Sequence, residues 1–452
     1  MDRFVIIGGK PLHGTVRISG AKNATLPIMT AALLTPGKTV LHNVPQLRDI
    51  HTMAKLLEIL GVRWEMVDHQ LTLHTEEVTK QEAPYQLVKT MRASVYVLGP
   101  LLARFGQAKV SLPGGCAWGP RPVDLHLKGI KALGANVILE EGYIIATASK
   151  LHGAKIVFEI SSVGATGNVL MAAVLAKGTT VIENAACEPD IEALANFLVK
   201  MGAKIAGIGT PRLEIEGVDS LSPTEDTMIP DRIEAGTFLV ACGIAGGDIR
   251  LESVQPRHLE MVIEKSREAG MVVEEMEGRV SSRPIGITEV VKGQTTPPLS
   301  PPTIVEGETF LRIKSEGSPK PVSVKTAPYP GFPTDMQAQW MAWMCLAKGD
   351  SLITDTIFRD RFTHVAELHR LGASISMEAN TAMVHGQEKL LGAPVMSTDL
   401  RASACLVLAG LAAQGRTTVS RVYHIDRGYE RIEEKLQGLG AEIWREEDVP
   451  SQ

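Results

Sequence analysis

The sequence predicts an α/β chain of two domains, each built from three copies of one helix–strand–helix–hairpin unit. Three observations predict it. A Leu-Gly-Ala-like phrase recurs six times: Leu60-Gly61-Val62, Leu133-Gly134-Ala135, Met201-Gly202-Ala203, Ala269-Gly270-Met271, Leu371-Gly372-Ala373 and Leu439-Gly440-Ala441. Its glycines lie 73, 68, 68, 102 and 68 residues apart, and a β-branched strand precedes every phrase. The sixth unit stops at Glu442-Ile443-Trp444-Arg445 without its last strand, whereas residues 4–18 offer strands ahead of any helix. One such unit cannot bury both of its faces, so the units must group.

The elements follow in chain order. Phe4-Val5-Ile6-Ile7 and Thr15-Val16-Arg17-Ile18 read as strands. The economical solution has this N-terminal segment complete the last unit. A small-residue helix over Asn23 to Leu34 opens the first unit, and Thr166 to Ala176 is its counterpart in the third. The strands of the six units are Thr39-Val40-Leu41, Lys109-Val110-Ser111, Thr180-Val181-Ile182, Asp248-Ile249-Arg250, Leu352-Ile353-Thr354 and Thr418-Val419-Ser420. A second helix then carries apolar residues at helical spacing, as in Ile191, Leu194, Phe197 and Leu198. Pro45, Pro122, Pro189 and Pro256 suit its first turn, and the phrase glycine suits its C-cap. A hairpin closes the unit, for example Val137-Ile138-Leu139 turning back through Tyr143-Ile144-Ile145.

The 102-residue spacing exceeds its 68-residue neighbours by 34, and the excess falls in 284–319. That stretch contains Pro297-Pro298-Leu299-Ser300-Pro301-Pro302, which no central strand or helix interior accepts. It reads as a proline-rich surface insert in the second domain. The domains then span 22–229 and 1–21 plus 230–452, joined by two crossing strands. A cleft between domains is a favoured place for a ligand.

Composition narrows the function. The chain has 452 residues, 44% hydrophobic and 21% charged, which excludes disorder for its bulk. No run reaches the roughly 18 apolar residues of a membrane helix, and Met1-Asp2-Arg3-Phe4 starts no secretion signal. A net charge of -5 argues against a nucleic-acid-coating protein. Five cysteines without a CxxC pair fit a reducing, cytoplasmic setting and no structural metal. No HxxxH, GxGxxG or GxxxxGK[ST] pattern is present, so neither a metal nor a cofactor is expected.

Each unit's first helix starts with polar residues: Lys22-Asn23, Lys89-Thr90-Met91-Arg92, Ser161-Ser162-Val163-Gly164, Pro230-Asp231-Arg232, Pro333-Thr334-Asp335 and Thr398-Asp399-Leu400-Arg401. At any single terminus ordinary capping explains them. Several basic termini facing one cleft would instead hold an anion. Asp335 and Asp399 occupy matching positions, as helix caps or as a general base toward the cleft. The Gly/Pro-rich segment Pro113-Gly114-Gly115-Cys116-Ala117-Trp118-Gly119-Pro120-Arg121-Pro122 permits an exposed loop with an accessible thiol beside Arg121. The other cysteines sit mostly among apolar neighbours and read as packing residues. Arg427, after Tyr423-His424-Ile425-Asp426, is an anion ligand or an ion-paired helix start.

Together these residues resemble one family. Ser19-Gly20-Ala21-Lys22-Asn23-Ala24, Pro113-Gly114-Gly115-Cys116-Ala117, Arg121-Pro122-Val123-Asp124-Leu125-His126, Ser162-Val163-Gly164-Ala165-Thr166, Phe332-Pro333-Thr334-Asp335-Met336-Gln337, Asp399-Leu400-Arg401-Ala402 and His424-Ile425-Asp426-Arg427-Gly428 look like the UDP-N-acetylglucosamine 1-carboxyvinyltransferase family of enolpyruvyl transferases. The likeness runs nearly end to end, apart from the insert. It implies a fold of two inside-out α/β barrels of three repeats each. It implies transfer of enolpyruvyl from phosphoenolpyruvate to the 3′-hydroxyl of the UDP-sugar through a tetrahedral ketal, releasing phosphate, with no cofactor.

By the same resemblance Lys22, Arg121, Arg401 and Arg427 hold phosphoenolpyruvate, helped by Asn23. Arg92, Arg121, Pro122, Val123, Asp124, Leu125, Ser162, Val163, Gly164, Asp335, Ile357 and Asp399 are the further substrate-binding residues, chiefly toward the UDP-sugar. Cys116 is the acid, Asp335 the base, and Lys22 and Arg401 count with the catalytic set. Cys116 is also where fosfomycin-type epoxides attach. Ile160 departs from the lysine that some members carry, and Trp118 and Pro120 make the cysteine loop bulkier. The sibling family that acts on shikimate 3-phosphate shares the fold but not the Cys116 loop or the Arg121–Leu125 segment. A non-catalytic nucleotide-sugar sensor is the reading from another class, and phosphate release separates it.

Overall fold

The computed structural model describes residues 2–112, 123–282 and 303–447. Among them stand six four-stranded sheets of one pattern. In each, one strand lies parallel to the unit's main strand, whose other edge takes an antiparallel pair of strands, a hairpin in every unit but the sixth. In the second unit the order is Glu82–Ala83, Gln107–Ser111, Tyr143–Thr147, Asn136–Glu140. The outer faces meet water, so strands alternate, as Arg212–Glu216 does between exposed and buried residues.

The first helix of each unit is buried on nearly every side. Arg232–Ala245, Gln337–Met344 and Ala404–Ala412 touch one another in the middle of one core. Lys22–Ala31, Leu98–Phe105 and Val163–Ala173 belong to the other. Helices apolar all round fit only such a centre. Helices inside and sheets outside give each core its inverted barrel form. One core runs from Leu26 to Met228, and the other gathers Phe4 to Ile18 with Ile233 to Ile443. Among the described residues no helix is long and apolar enough to cross a membrane.

The six phrase glycines all close helices in the left-handed region, with φ of 107°, 93°, 107°, 100°, 87° and 93° at Gly61, Gly134, Gly202, Gly270, Gly372 and Gly440. Asp2–Ile7 pairs antiparallel with both Arg416–Ser420 and Glu442–Glu447, supplying the strand the sixth unit lacks. The second N-terminal strand departs from expectation. Leu12–Arg17 runs parallel to Gly247–Glu252 and completes the fourth unit, not the sixth. The reason is geometric, since the sixth sheet already has its parallel edge in Pro394–Met396 and the fourth has no other. Correspondingly, Glu225–Thr227 closes the first unit beside Lys38–His42.

The two connections meet where Ala21 N–H donates to Ile229 O at 2.7 Å and Asp231 N–H to Ser19 O at 2.8 Å. Gly20 lies between them, and a Cβ there would stand 1.8 Å from the Asn43 carbonyl oxygen. The insert ends earlier in the chain than 284–319 suggests. Thr303–Ser315 is a strand paired with both Val272–Ser282 and Gly247–Glu252, because Leu311 and Ile313 bury in the core. Residues 283–302 lie outside the described residues. Pro189 does start its helix, whereas Pro45 precedes one that begins at Arg48, and Pro256 opens a 3-10 turn ahead of Glu260–Glu268.

Candidate active site

Helix starts from both cores converge where the chain crosses. Lys22 is the first residue of its helix and is 4% exposed. Its Nζ lies 3.4 Å from Asp49 Oδ2, and the other oxygen of Asp49 receives Arg427 Nε at 2.8 Å. Asp49 sits in the first turn of Arg48–Leu60, where the helix dipole favours a carboxylate. It therefore joins a cation of one core to a cation of the other. Burial pushes the Lys22 ammonium below its usual range, opposed by Asp49 and reinforced by Arg401 and Arg427.

Arg401 is 1% exposed. Its Nη2 donates to Asp231 Oδ2 and its Nη1 to the Gly428 carbonyl, both at 2.5 Å. Asp231 also caps Arg232–Ala245, accepting from Ile233 N–H and Glu234 N–H. Beside this pair, Arg361 bridges two carboxylates, with Nη1 2.7 Å from Asp335 Oδ1 and Nη2 3.3 Å from Asp399 Oδ1. Asp399 takes the turn role as well, accepting from Arg401 N–H and Ala402 N–H. Asp335 caps no helix, and its side chain keeps 26% exposure. Burial would raise the Asp335 carboxyl, but Arg361, Arg401 and Lys22 outweigh it and hold it well below the ordinary carboxylate range.

A second group lies at the ends of first-core helices. Ser162 Oγ caps Val163–Ala173, accepting from Ala165 N–H at 3.3 Å, and Ser162, Val163 and Gly164 are half-buried. His126 Nε2 would stand 3.0 Å from a Cβ at Gly164, so a side chain there would crowd the ring. His126 Nδ1 faces Asn168 Nδ2 at 3.1 Å. Burial, then the charge of Arg92, pushes its pKa down to about 4, so it is neutral at pH 7. Asp124 is exposed at the start of Asp124–Ala132, with Val123 and Leu125 half-buried against the core. Asn23 is half-buried beside Lys22, and Ile357 is 37% exposed just after Asp355, which anchors its backbone N–H.

Of the residues singled out in the sequence, Lys22, Asp335, Asp399, Arg401 and Arg427 thus share one network, and Arg92, Asp124, Ser162, Val163 and Gly164 lie around His126. Cys116, Arg121 and Pro122 lie outside the described residues, as do Trp118 and Pro120. Ile160 is 67% exposed. Cys242, Cys345 and Cys405 are buried, and burial raises the first two thiols to about 12. Sequence reasoning passed over Asp49 and Arg361. Arg361 lies between strand Asp350–Thr354 and helix His364–Arg370, the place in its unit that Arg427 holds in the sixth. The repeat position was the available signal.

The chain resembles known proteins along nearly its whole length. The family model described as EPSP synthase (3-phosphoshikimate 1-carboxyvinyltransferase) matches residues 6–436. A protein of Chloroherpeton thalassium named UDP-N-acetylglucosamine 1-carboxyvinyltransferase is 56% identical over 99% of this chain and 97% of its own length. Namesakes from Chlorobium chlorochromatii and Trichlorobacter lovleyi are 54% and 52% identical, each over at least 98% of this chain and 99% of their own. In fold, the chain matches the crystal structure of the enolpyruvyl transferase NikO from Streptomyces tendae at TM-score 0.82 and 24% identity, over 98% of this chain and 99% of that one. It matches an EPSP synthase structure from Acinetobacter baumannii at TM-score 0.72 and 18% identity, over 99% and 100%.

Proposed function

The chain belongs to the EPSP synthase family, within its UDP-N-acetylglucosamine 1-carboxyvinyltransferase branch, and we propose that it transfers enolpyruvyl from phosphoenolpyruvate to the 3′-hydroxyl of UDP-N-acetylglucosamine, releasing phosphate at the first step of peptidoglycan synthesis. The observation that carries the reading is the meeting of Lys22, Arg401 and Arg427 with the carboxylate of Asp335. Two anionic substrates need fixed cations, and an alcohol that adds to an enol ether needs a base.

The roles are these. Lys22, Asn23, Arg121, Arg401 and Arg427 hold phosphoenolpyruvate. Arg92, the segment Arg121–Leu125, Ser162, Val163, Gly164, Asp335 and Ile357 hold the UDP-sugar, and Asp399 belongs to the substrate-binding set. Cys116 gives its proton to C3 of phosphoenolpyruvate, and positive charge develops at C2. The 3′-oxygen bonds to C2 while Asp335 takes the hydroxyl proton, forming the tetrahedral ketal. A C3 proton then returns to the Cys116 thiolate as the C2–O bond to phosphate breaks and phosphate leaves with that electron pair. By itself Asp335 is a weak base, since three cations stabilise its anion. The phosphate and carboxylate of phosphoenolpyruvate offset Lys22 and Arg401, which raises the basicity of Asp335 when it is needed. Units 22–229 and 1–21 plus 230–452 act as the two domains that close on the substrates and exclude water. The enzyme works in the cytoplasm, and fosfomycin-type epoxides alkylate Cys116.

The test is phosphate release with both substrates, with shikimate 3-phosphate as control acceptor. Release that depends on UDP-N-acetylglucosamine is expected; none, with the UDP-sugar still bound, would make the protein a sensor. Cys116→Ser should abolish or strongly lower turnover at neutral pH and leave UDP-sugar binding intact. Mass spectrometry should find an epoxide adduct on Cys116.

A further inference from the structure

Behind Arg401 lies a buried aromatic ring that the proposed chemistry does not use. Tyr429 is 2% exposed, and the Arg401 guanidinium carbon stands 5.0 Å from its ring centroid. A buried cation over a ring face is held by the ring quadrupole. The Tyr429 hydroxyl lies 2.8 Å from Thr237 Oγ1 and accepts from Gln339 Nε2 at 3.0 Å. Thr237 belongs to helix Arg232–Ala245 and Gln339 to helix Gln337–Met344. The same Gln339 Nε2 donates to the main-chain oxygen of Asp335 at 2.9 Å, and Thr237 Oγ1 donates to Ile233 O at 2.8 Å.

The neighbours of Tyr429 in sequence extend the argument. Arg427 reaches Asp49, the Gly428 carbonyl accepts from Arg401, and Tyr429 lies under Arg401. Three consecutive residues thus set the place of both second-core cations that the proposed function assigns to phosphoenolpyruvate. Gly428 has little room, since a Cβ there would meet the Leu400 oxygen at 3.1 Å and Arg401 Cδ at 3.3 Å.

We propose that Tyr429, pinned through its hydroxyl by Thr237 and Gln339, is a positioning residue that fixes Arg401 relative to Asp335 and Arg427. The inference rests on the enolpyruvyl-transfer reading. Its geometry ties the first helices of the fourth and fifth units, and the turn that carries Arg401 ahead of Ala404–Ala412, to one tyrosine, so the cations and the base keep a common frame. A guanidinium displaced by about 1 Å from developing negative charge loses roughly tenfold to a hundredfold in rate.

The test compares Tyr429→Phe, which keeps the ring, with Tyr429→Leu, which removes it. Steady-state phosphate release, UDP-N-acetylglucosamine binding by calorimetry and thermal melting are measured on both and on the parent. We expect Tyr429→Leu to lose roughly a hundredfold in kcat/KM for phosphoenolpyruvate, and Tyr429→Phe to recover all but about tenfold of the parent value. UDP-sugar affinity should change by far less than kcat/KM for phosphoenolpyruvate in both, because Arg92 and Ser162 to Gly164 lie in the other core and Asp335 stays held by Arg361. Equal activity in the parent and both variants would overturn the inference alone. So would a loss in Tyr429→Leu that falls equally on UDP-sugar binding, which would mark a merely structural role. A parent that releases no phosphate would overturn the proposed function and this inference with it.

Discussion

Replacing Arg361 by Met should destabilise the protein most at neutral pH and least in acid. Arg361 is 5% exposed at its side chain and faces Asp399, 6% exposed, and Asp335, 26% exposed. Removing one member of a buried ion pair costs about 3–5 kcal/mol, because the partner keeps its desolvation without its counter-charge. Asp399 retains two backbone donors and Asp335 retains the field of Arg401 and Lys22, so the lower end, about 3 kcal/mol, applies. At ~2–4 °C per kcal/mol for a domain of about 200 residues, Tm falls by roughly 6–12 °C.

The pH dependence follows from the signs. In the parent both carboxyls lie below their ordinary range, so their contribution is present above about pH 4 and is lost as pH falls through the folded values. Without Arg361, burial meets less opposition, so both carboxyls rise from their lowered values, and we predict that the rise carries them above the unfolded value. The variant then loses stability as pH rises through the carboxylate range. The assay is thermal unfolding of parent and variant between about pH 4 and pH 8. The gap in Tm should narrow steadily toward acid. A gap that stays constant or widens there would refute the argument and leave lost packing as the cause.

Two further outcomes follow from single contacts. Burial raises the Asp190 carboxyl to about 6, so the folded state binds a proton the unfolded chain releases near pH 4, and stability is lost as pH rises between them. Asp190→Asn should therefore melt above the parent at pH 7 by the equivalent of up to ~3 kcal/mol, with no gain below about pH 4; calorimetry across that range checks it. Gly20→Ala drives a methyl to 1.8 Å from the Asn43 carbonyl oxygen where the connecting strands meet, and should cost on the order of 3 kcal/mol or more in urea denaturation.

Local chemistry was legible in the sequence, and long-range pairing was not. A glycine that ends a helix needs positive φ, so its recurrence marks the same cap six times over. The absent last strand pointed to the N-terminus, and Asp2–Ile7 does pair beside Glu442–Glu447. Thr15–Ile18 went astray because strand propensity says nothing about which edge is vacant; the fourth sheet's parallel edge decided it. The insert's far bound was set too late because proline marks only its own neighbourhood. Leu311 and Ile313 alternate inward just beyond it, as a strand requires. The site divides similarly. Lys22, Arg401 and Asp335 stood at recurring helix starts, but Asp49 lies 378 residues from Arg427 and Asp231 lies 170 from Arg401. No local pattern reports such partners.

Those partners change the expected electrostatics of the cleft. A chain of net charge -5 with cations for two anionic ligands suggests a strongly positive pocket. Yet Lys22 and Arg427 share Asp49, Arg401 holds Asp231, and Arg361 lies between Asp335 and Asp399. Four cations thus face four carboxylates, and the network carries little net charge. Burial demands this, since an isolated guanidinium in such a place would cost several kcal/mol and an ammonium would give up its proton. Lys22 marks the limit, for its pKa is lowered even beside Asp49. Attraction of an anion at long range therefore falls to exposed charges. If the proposed roles of these residues hold, binding within the cleft exchanges one set of acceptors for another, and the gain comes from orientation. Such a site rewards a ligand whose two anionic groups match the spacing of its cations, and discriminates against a single charge of equal strength.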